Sequence, residues 1–257
     1  MSDHPLFQSL ANIVENTFGP LSTNVGRTFG DLWYLKFGAI SLVAEKRRLE
    51  YIQGVQQFGK ELEEALATTP EERRIEPNTQ IAMNALDDVQ PCIEEPELRH
   101  MFCKLLTASV DSAKEDIVHP SFSSIIKRMS SSDATLLKKL GTMDTPIASY
   151  YLIEKEGEGT YPLNLHVIAV NGQLLKDYAT VSSSLNMLQS LGLIELTYDR
   201  YLLEPDLYKP FESIKSIDAL APDLPLPTKR PTSIGFQKGV VSFTTFGQRF
   251  NLTCVLP

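Results

Sequence analysis

Apolar positions recur at three- and four-residue steps through the first half of the chain and give way to alternation after Gly141. From residue 30 to 66 no proline interrupts, and Leu32, Leu35, Ala39 and Leu42 are followed by Leu49, Ile52, Val55, Phe58, Leu62 and Leu66. That stripe predicts one long amphipathic helix. Gly54 and Gly59 weaken it, each costing roughly 1 kcal/mol against alanine. Ahead of it, residues 6–18 read as a short helix ended by Gly19-Pro20.

The polar stretch 68–76 contains Pro70 and predicts a connection. Helices are then expected over 77–89, 96–112, 121–129 and 132–140. In the second of these Leu98, Phe102, Leu105, Leu106, Ser109 and Val110 share a face, and Glu94, Glu95 and Glu97 suit the positive end of the helix dipole. The third carries Phe122, Ile125 and Ile126 behind Pro120, and the fourth starts on a serine cap.

Beyond Gly141 the β-branched and aromatic runs 147–153 and 163–170 predict two strands. A helix follows over 177–191, stopped by Gly192, then a strand over 193–198. Residues 216–231 hold Pro222, Pro225, Pro227 and Pro231 and read as a surface excursion. A strand at 240–243 and a helix at 245–255 close the chain. The helix, glycine, strand and later partner strand look like a winged helix-turn-helix. The fold class expected is therefore mainly α: a helical part over 1–130 with a long amphipathic helix, then a winged-helix-like α+β part over 131–257.

The chain has 257 residues and a net charge of −8, and neither half is basic, which opposes a chain-wide nucleic-acid footprint. Cys92, Cys103 and Cys254 cannot all pair within one chain, and no signal-peptide pattern opens it. Reduced thiols in a cytoplasmic protein are expected. No run of apolar residues is long enough to predict a spanning helix.

Candidate chemistry is sparse. Glu97, His100 and Cys103 stand at i, i+3 and i+6 with Cys92 upstream, but the spacing matches no standard zinc motif, and no metal or cofactor is assigned. His119 precedes a proline at a helix start, with Asp111, Glu115 and Asp116 near in sequence. It could serve as a general base, or cap the helix and pin the turn; the structural role is the reading adopted. The serines sit in no Gly-x-Ser-x-Gly elbow, and Gly26-x-x-x-Gly30 lacks a phosphate-loop ending.

Two further surfaces stand out. Leu32, Trp33, Tyr34, Leu35, Phe37, Ile40, Leu42 and Val43 cover nearly every side of a helix, with Lys46, Arg47 and Arg48 directly after. Such a helix packs in a core or an oligomer, or lies on a membrane surface with its basic cluster at the headgroups. In the winged-helix reading Ser182, Ser183, Asn186 and Gln189 would face outward from a reading helix. That helix has no Lys or Arg, so protein contact is favoured over DNA contact.

The run EPELRHMFCKLLTASVDS followed by VHPSFSSIIKRMSSSDATLLKKL resembles the abortive-infection Abi-alpha family of bacterial proteins. The resemblance rests on the Asp111-bearing turn, the step His119, Pro120, Ser121, Phe122, the short aliphatic helix and the serine-capped helix after it. LQSLGLIEL and VVSFTTFGQRF also resemble the family's closing part. The resemblance implies defence against bacteriophage by arresting or killing the infected cell, and implies no catalytic residue. Site expectations are accordingly a functional turn at Asp111 and His119–Phe122, and an interaction or membrane face at Trp33, Tyr34, Phe37, Lys46, Arg47 and Arg48. The expected mode is binding to a protein or to a second copy in the cytoplasm. A peripheral place at the inner membrane face and a nucleic-acid partner are the alternatives.

Overall fold

The computed structural model describes Thr28, residues 30–33, Lys36, 45–154, 159–220 and 231–256; side chains at 45–49, 154, 231 and 232 are not among those described. The expected helix at 6–18, Gly26, Tyr34 and Phe37 therefore lie outside the described residues, as do the side chains of Lys46, Arg47 and Arg48. The chain divides into two compact units. One holds the described residues through Ala134 together with those from Arg249 onward, and the other is Thr135–Gln248.

The first unit is helical. Helix α1 spans Glu45–Ala67, α2 Thr79–Asp88, α3 Pro96–Ala108 and α4 Phe122–Arg128. Thr28, residues 30–33 and Lys36 are also helical. The stripe read from the sequence is the one buried: Val55, Phe58, Leu62 and Leu66 on α1, and Leu98, Phe102, Leu105 and Leu106 on α3. Asn78 caps α2 by accepting the amides of Gln80 and Ile81. Helix α5, Ser131–Leu140, begins in this unit with a reciprocal cap: Ser130 Oγ accepts the Asp133 amide at 3.2 Å while Asp133 accepts the Ser130 amide at 2.7 Å.

The second unit is built on a sheet. Strands β1 (Thr145–Glu154), β2 (Thr160–Val170), β3 (Gln173–Leu174), β4 (Ile194–Thr197) and β5 (Pro231–Phe243) form one antiparallel sheet in the order β3-β2-β1-β5-β4. This overturns the mainly α, winged-helix-like expectation: the protein mixes helix with a five-stranded antiparallel sheet and is α+β. The strand expected at 240–243 is the end of a thirteen-residue strand. Its first part escapes a propensity reading because Gly235, Gln237, Lys238 and Gly239 resemble a loop, yet they pair along β1. Gly239 is glycine because a Cβ there would lie 2.5 Å from the Thr197 carbonyl and 2.6 Å from the Tyr198 ring.

Each sheet face is covered differently. Helix α6, Tyr178–Ser190, lies on the His166 side of β2, with Leu185 and Leu188 buried. On the other side a 3-10 helix, Pro205–Ser213, buries Tyr208 and Phe211 in a cluster with Ala148, Tyr150, Val167 and Ala169. Tyr150 donates to the Phe211 carbonyl at 2.8 Å and Tyr208 to the Gly239 carbonyl at 2.7 Å, so both buried hydroxyls are satisfied. Helix α7, Thr245–Cys254, closes the chain. Its first turn is held by Thr244, whose hydroxyl accepts the Gly247 amide at 2.8 Å.

Candidate functional site

The turn that follows α3 is held from a distance. Asp111 is buried and takes two hydrogen bonds from the Arg73 guanidinium, one of them Nε to Oδ1 at 2.9 Å, and a third from the Ala113 amide at 3.0 Å. The backbones join the same way: Ile75 donates to the Val110 carbonyl and Ser112 to the Arg73 carbonyl, each at 2.9 Å. Burial pushes the Asp111 carboxyl up, but the Arg73 hydrogen bond, the Ala113 amide and the Arg73 charge outweigh it and hold it below its usual range. Asp111 therefore staples the segment after α1 to the end of α3.

His119 and Ser121 complete the corner. The Ser121 amide donates to His119 Nδ1 at 3.2 Å, and the Ser121 hydroxyl lies 2.7 Å from the same nitrogen. An Nδ1 that accepts an amide proton carries none itself, which leaves the ring proton on Nε2. The His119 carbonyl accepts the Phe122 amide at 3.0 Å. Phe122 is fully buried, edge-on to Phe250 of α7 at 5.2 Å. Pro120 stands between the two as the fixed-φ residue of the bend. The imidazole thus pins the turn, and Phe122 anchors the corner to the core.

A second polar clamp lies between α1 and α3. Arg99 donates to Glu61 through Nε at 3.1 Å and Nη2 at 2.8 Å, and to the Ile93 carbonyl through Nη1 at 2.9 Å. Burial raises the Glu61 carboxyl, but the bonds from Arg99 and Gln57 win and hold it below its usual range. Lys104 on α3 donates to the Val255 and Leu256 carbonyls at 2.6 and 2.8 Å, placing a cation at the C-terminal end of α7.

Other candidates separate in space or turn inward. Glu97 and His100 are exposed on α3, whereas Cys103 is fully buried, its thiol donating to the Phe58 carbonyl at 3.9 Å and pushed well up by burial. Among the described residues no three His, Cys, Asp or Glu side chains gather as a metal site. Trp33 is fully buried and stacks on Phe58 at 5.6 Å, so it packs inside the first unit. Near it Lys36 pairs with Asp87 at 2.6 Å. Ser182, expected to face outward, is buried and accepts the His166 amide at 3.0 Å. Ser183, Asn186 and Gln189 are exposed. His166 Nδ1 lies 2.7 Å from the Tyr198 hydroxyl; burial pulls the imidazole below its usual range, against a bond to Asn186 that acts the other way.

Sequence reasoning missed Arg73, Glu61, Arg99 and Lys104, each of which has a partner 38 or more positions away. It had one usable signal: an Arg inside an otherwise apolar helix face, as at Arg99, needs a buried counter-charge.

No helix among the described residues is long and apolar enough to cross a membrane. Comparison with curated proteins and with solved structures gave no match. A family model, abortive infection alpha, matches residues 50–254, which takes in the Arg73–Asp111 staple, the His119–Phe122 corner and the whole of the sheet unit. On that match, the chain belongs to the abortive infection alpha family.

Proposed function

We propose that the protein carries out its family's abortive-infection role by binding another macromolecule, not by turnover. Family membership supplies the coarse role, defence against phage. The observation that carries the binding reading is how the corner is used. Asp111 is committed to Arg73 and Ala113, His119 Nδ1 to Ser121, and Phe122 to the core. These groups hold the chain in one shape, and a rigid shape lowers the ordering cost of recognition. The partner is a protein, since the α6 surface carries Ser183, Asn186 and Gln189 but no cation for a phosphate backbone. Of the aromatics on which a membrane-surface reading relied, Trp33 is buried in the first unit, and this supports a place in the cytoplasm over one at a membrane surface.

The test is a phage challenge of bacteria with and without the gene. At a low ratio of phage to cells, the expressing culture survives and plaque counts fall. At a high ratio, the same culture stops growing, because each infected cell is lost. Equal plaque counts in both cultures would overturn the reading.

A further inference from the structure

Large apolar side chains left in water are few among the described residues, and two of them share one place. Met143 is 77% exposed, Tyr201 56% and Leu203 90%, with Leu252 the remaining one. Met143 and Leu203 both line one open cleft of about 770 Å³ in the sheet unit. The cleft runs between the turn after α5, the β2–β3 turn and the segment leading into the 3-10 helix. Exposed apolar residues clustered on the lips of a cavity mark a contact surface. Methionine suits one, being unbranched and polarizable.

The walls are braced. Gly141, at φ +65°, ends α5 in the left-handed conformation. On the opposite lip the Tyr208 hydroxyl accepts the Leu202 amide at 3.0 Å while donating to the Gly239 carbonyl, which fixes the residues that present Leu203 and Glu204. A firm lip with an exposed leucine is a prepared surface.

Charge selects among occupants. Asp144 and Glu204 line the cleft, both exposed, and neither has an ion-pair partner among the described residues. Lys139 also lines it, in the last turn of α5, so the lining carries two carboxylates against one ammonium. Lys238 is held over the Tyr201 and Tyr208 rings at 5.7 and 5.2 Å. The carboxylates are left to be met from outside.

We propose that this cleft is a docking site for a cationic amphipathic segment of a partner protein, which places an apolar side chain between Met143 and Leu203 and a Lys or Arg beside Asp144 and Glu204. The proposal rests on the binding reading above and gives it a location and a partner chemistry.

The test uses the full chain labelled at its methionine methyls, titrated with a short amphipathic Leu/Lys peptide and with its Leu/Glu counterpart. The Met143 signal is expected to shift saturably with the first and not with the second, while that of buried Met101 stays in place. Leu203→Ser and the pair Asp144→Asn with Glu204→Gln should each weaken binding roughly tenfold. These positions are exposed, so the variants should keep the wild-type melting temperature, and a thermal melt checks this. Three results would overturn the proposal: no saturable Met143 shift, equal binding of the Glu peptide, or a Met143 shift that follows protein concentration without peptide, which assigns the cleft to a second copy. The titration is read without phage, so its failure leaves the defence reading standing, and a failed phage challenge leaves the cleft result standing.

Discussion

The two units treat their difficult groups in opposite ways. In the helical unit buried charge is paired and used to tie distant segments: Asp111 to Arg73, Arg99 to Glu61. In the sheet unit two large apolar side chains, Met143 and Leu203, stand in water along one cleft, and two carboxylates beside them have no described ion-pair partner. A unit that spends its polar groups on itself is a support. A unit that leaves apolar and charged groups unspent is available to others. The difference teaches where to look for recognition, and the order of expected effects follows from it.

Removing the aromatic anchor of the support should do the most harm. Phe122→Ala empties a site between α4 and α7 and should cost about 3–5 kcal/mol, measured by denaturant unfolding. A loss below about 1 kcal/mol would mean that the corner is not held by its core contact. Arg99→Leu comes next, at about 2 kcal/mol, because Glu61 loses its two-point partner while remaining partly buried.

Acid should find the same support. Glu61 and Asp111 both have folded-state pKa values below their unfolded ones. The stability they supply is present above the unfolded value, about 4, and is lost as pH falls through the folded one. Melting temperature should therefore drop on acidification below about pH 4. The drop should be shallower in Asp111→Asn, which no longer has a carboxylate to protonate. An unchanged slope would remove the staple from the account.

At the cleft the effect on stability should be smallest. Leu203→Ser lies 90% in water and should move stability by no more than about 0.5 kcal/mol. A large destabilisation would show that Leu203 is structural, and would erase the contrast between the units.

Much of the helical unit could be read along the chain, because burial there follows the 3.6-residue period: Val55, Phe58, Leu62 and Leu66 come out as predicted. The sheet unit was less readable. Half of β5 is strand only because β1 lies beside it, and its glycines are set by neighbours such as Tyr198, distant in sequence. The sequence pattern marked no element over 205–213, yet Tyr208 and Phe211 of the 3-10 helix there roof the sheet. Ser182 faced the wrong way because a serine on an amphipathic helix is ordinarily solvated, and here a strand amide needed it. Of the site, the corner His119–Phe122 was visible as a motif. Its meaning was not, since Arg73 stands 38 residues from Asp111 and no local pattern links them.

The most direct test of the central claim, that the corner shapes the protein for binding and does no chemistry, is protection against phage by the His119→Asn variant. Asparagine's side-chain oxygen can accept the Ser121 amide as Nδ1 does, but it cannot serve as a base. The account predicts plaque counts and a melting temperature close to those of the wild type. Full loss of protection with an unchanged melting temperature would contradict it.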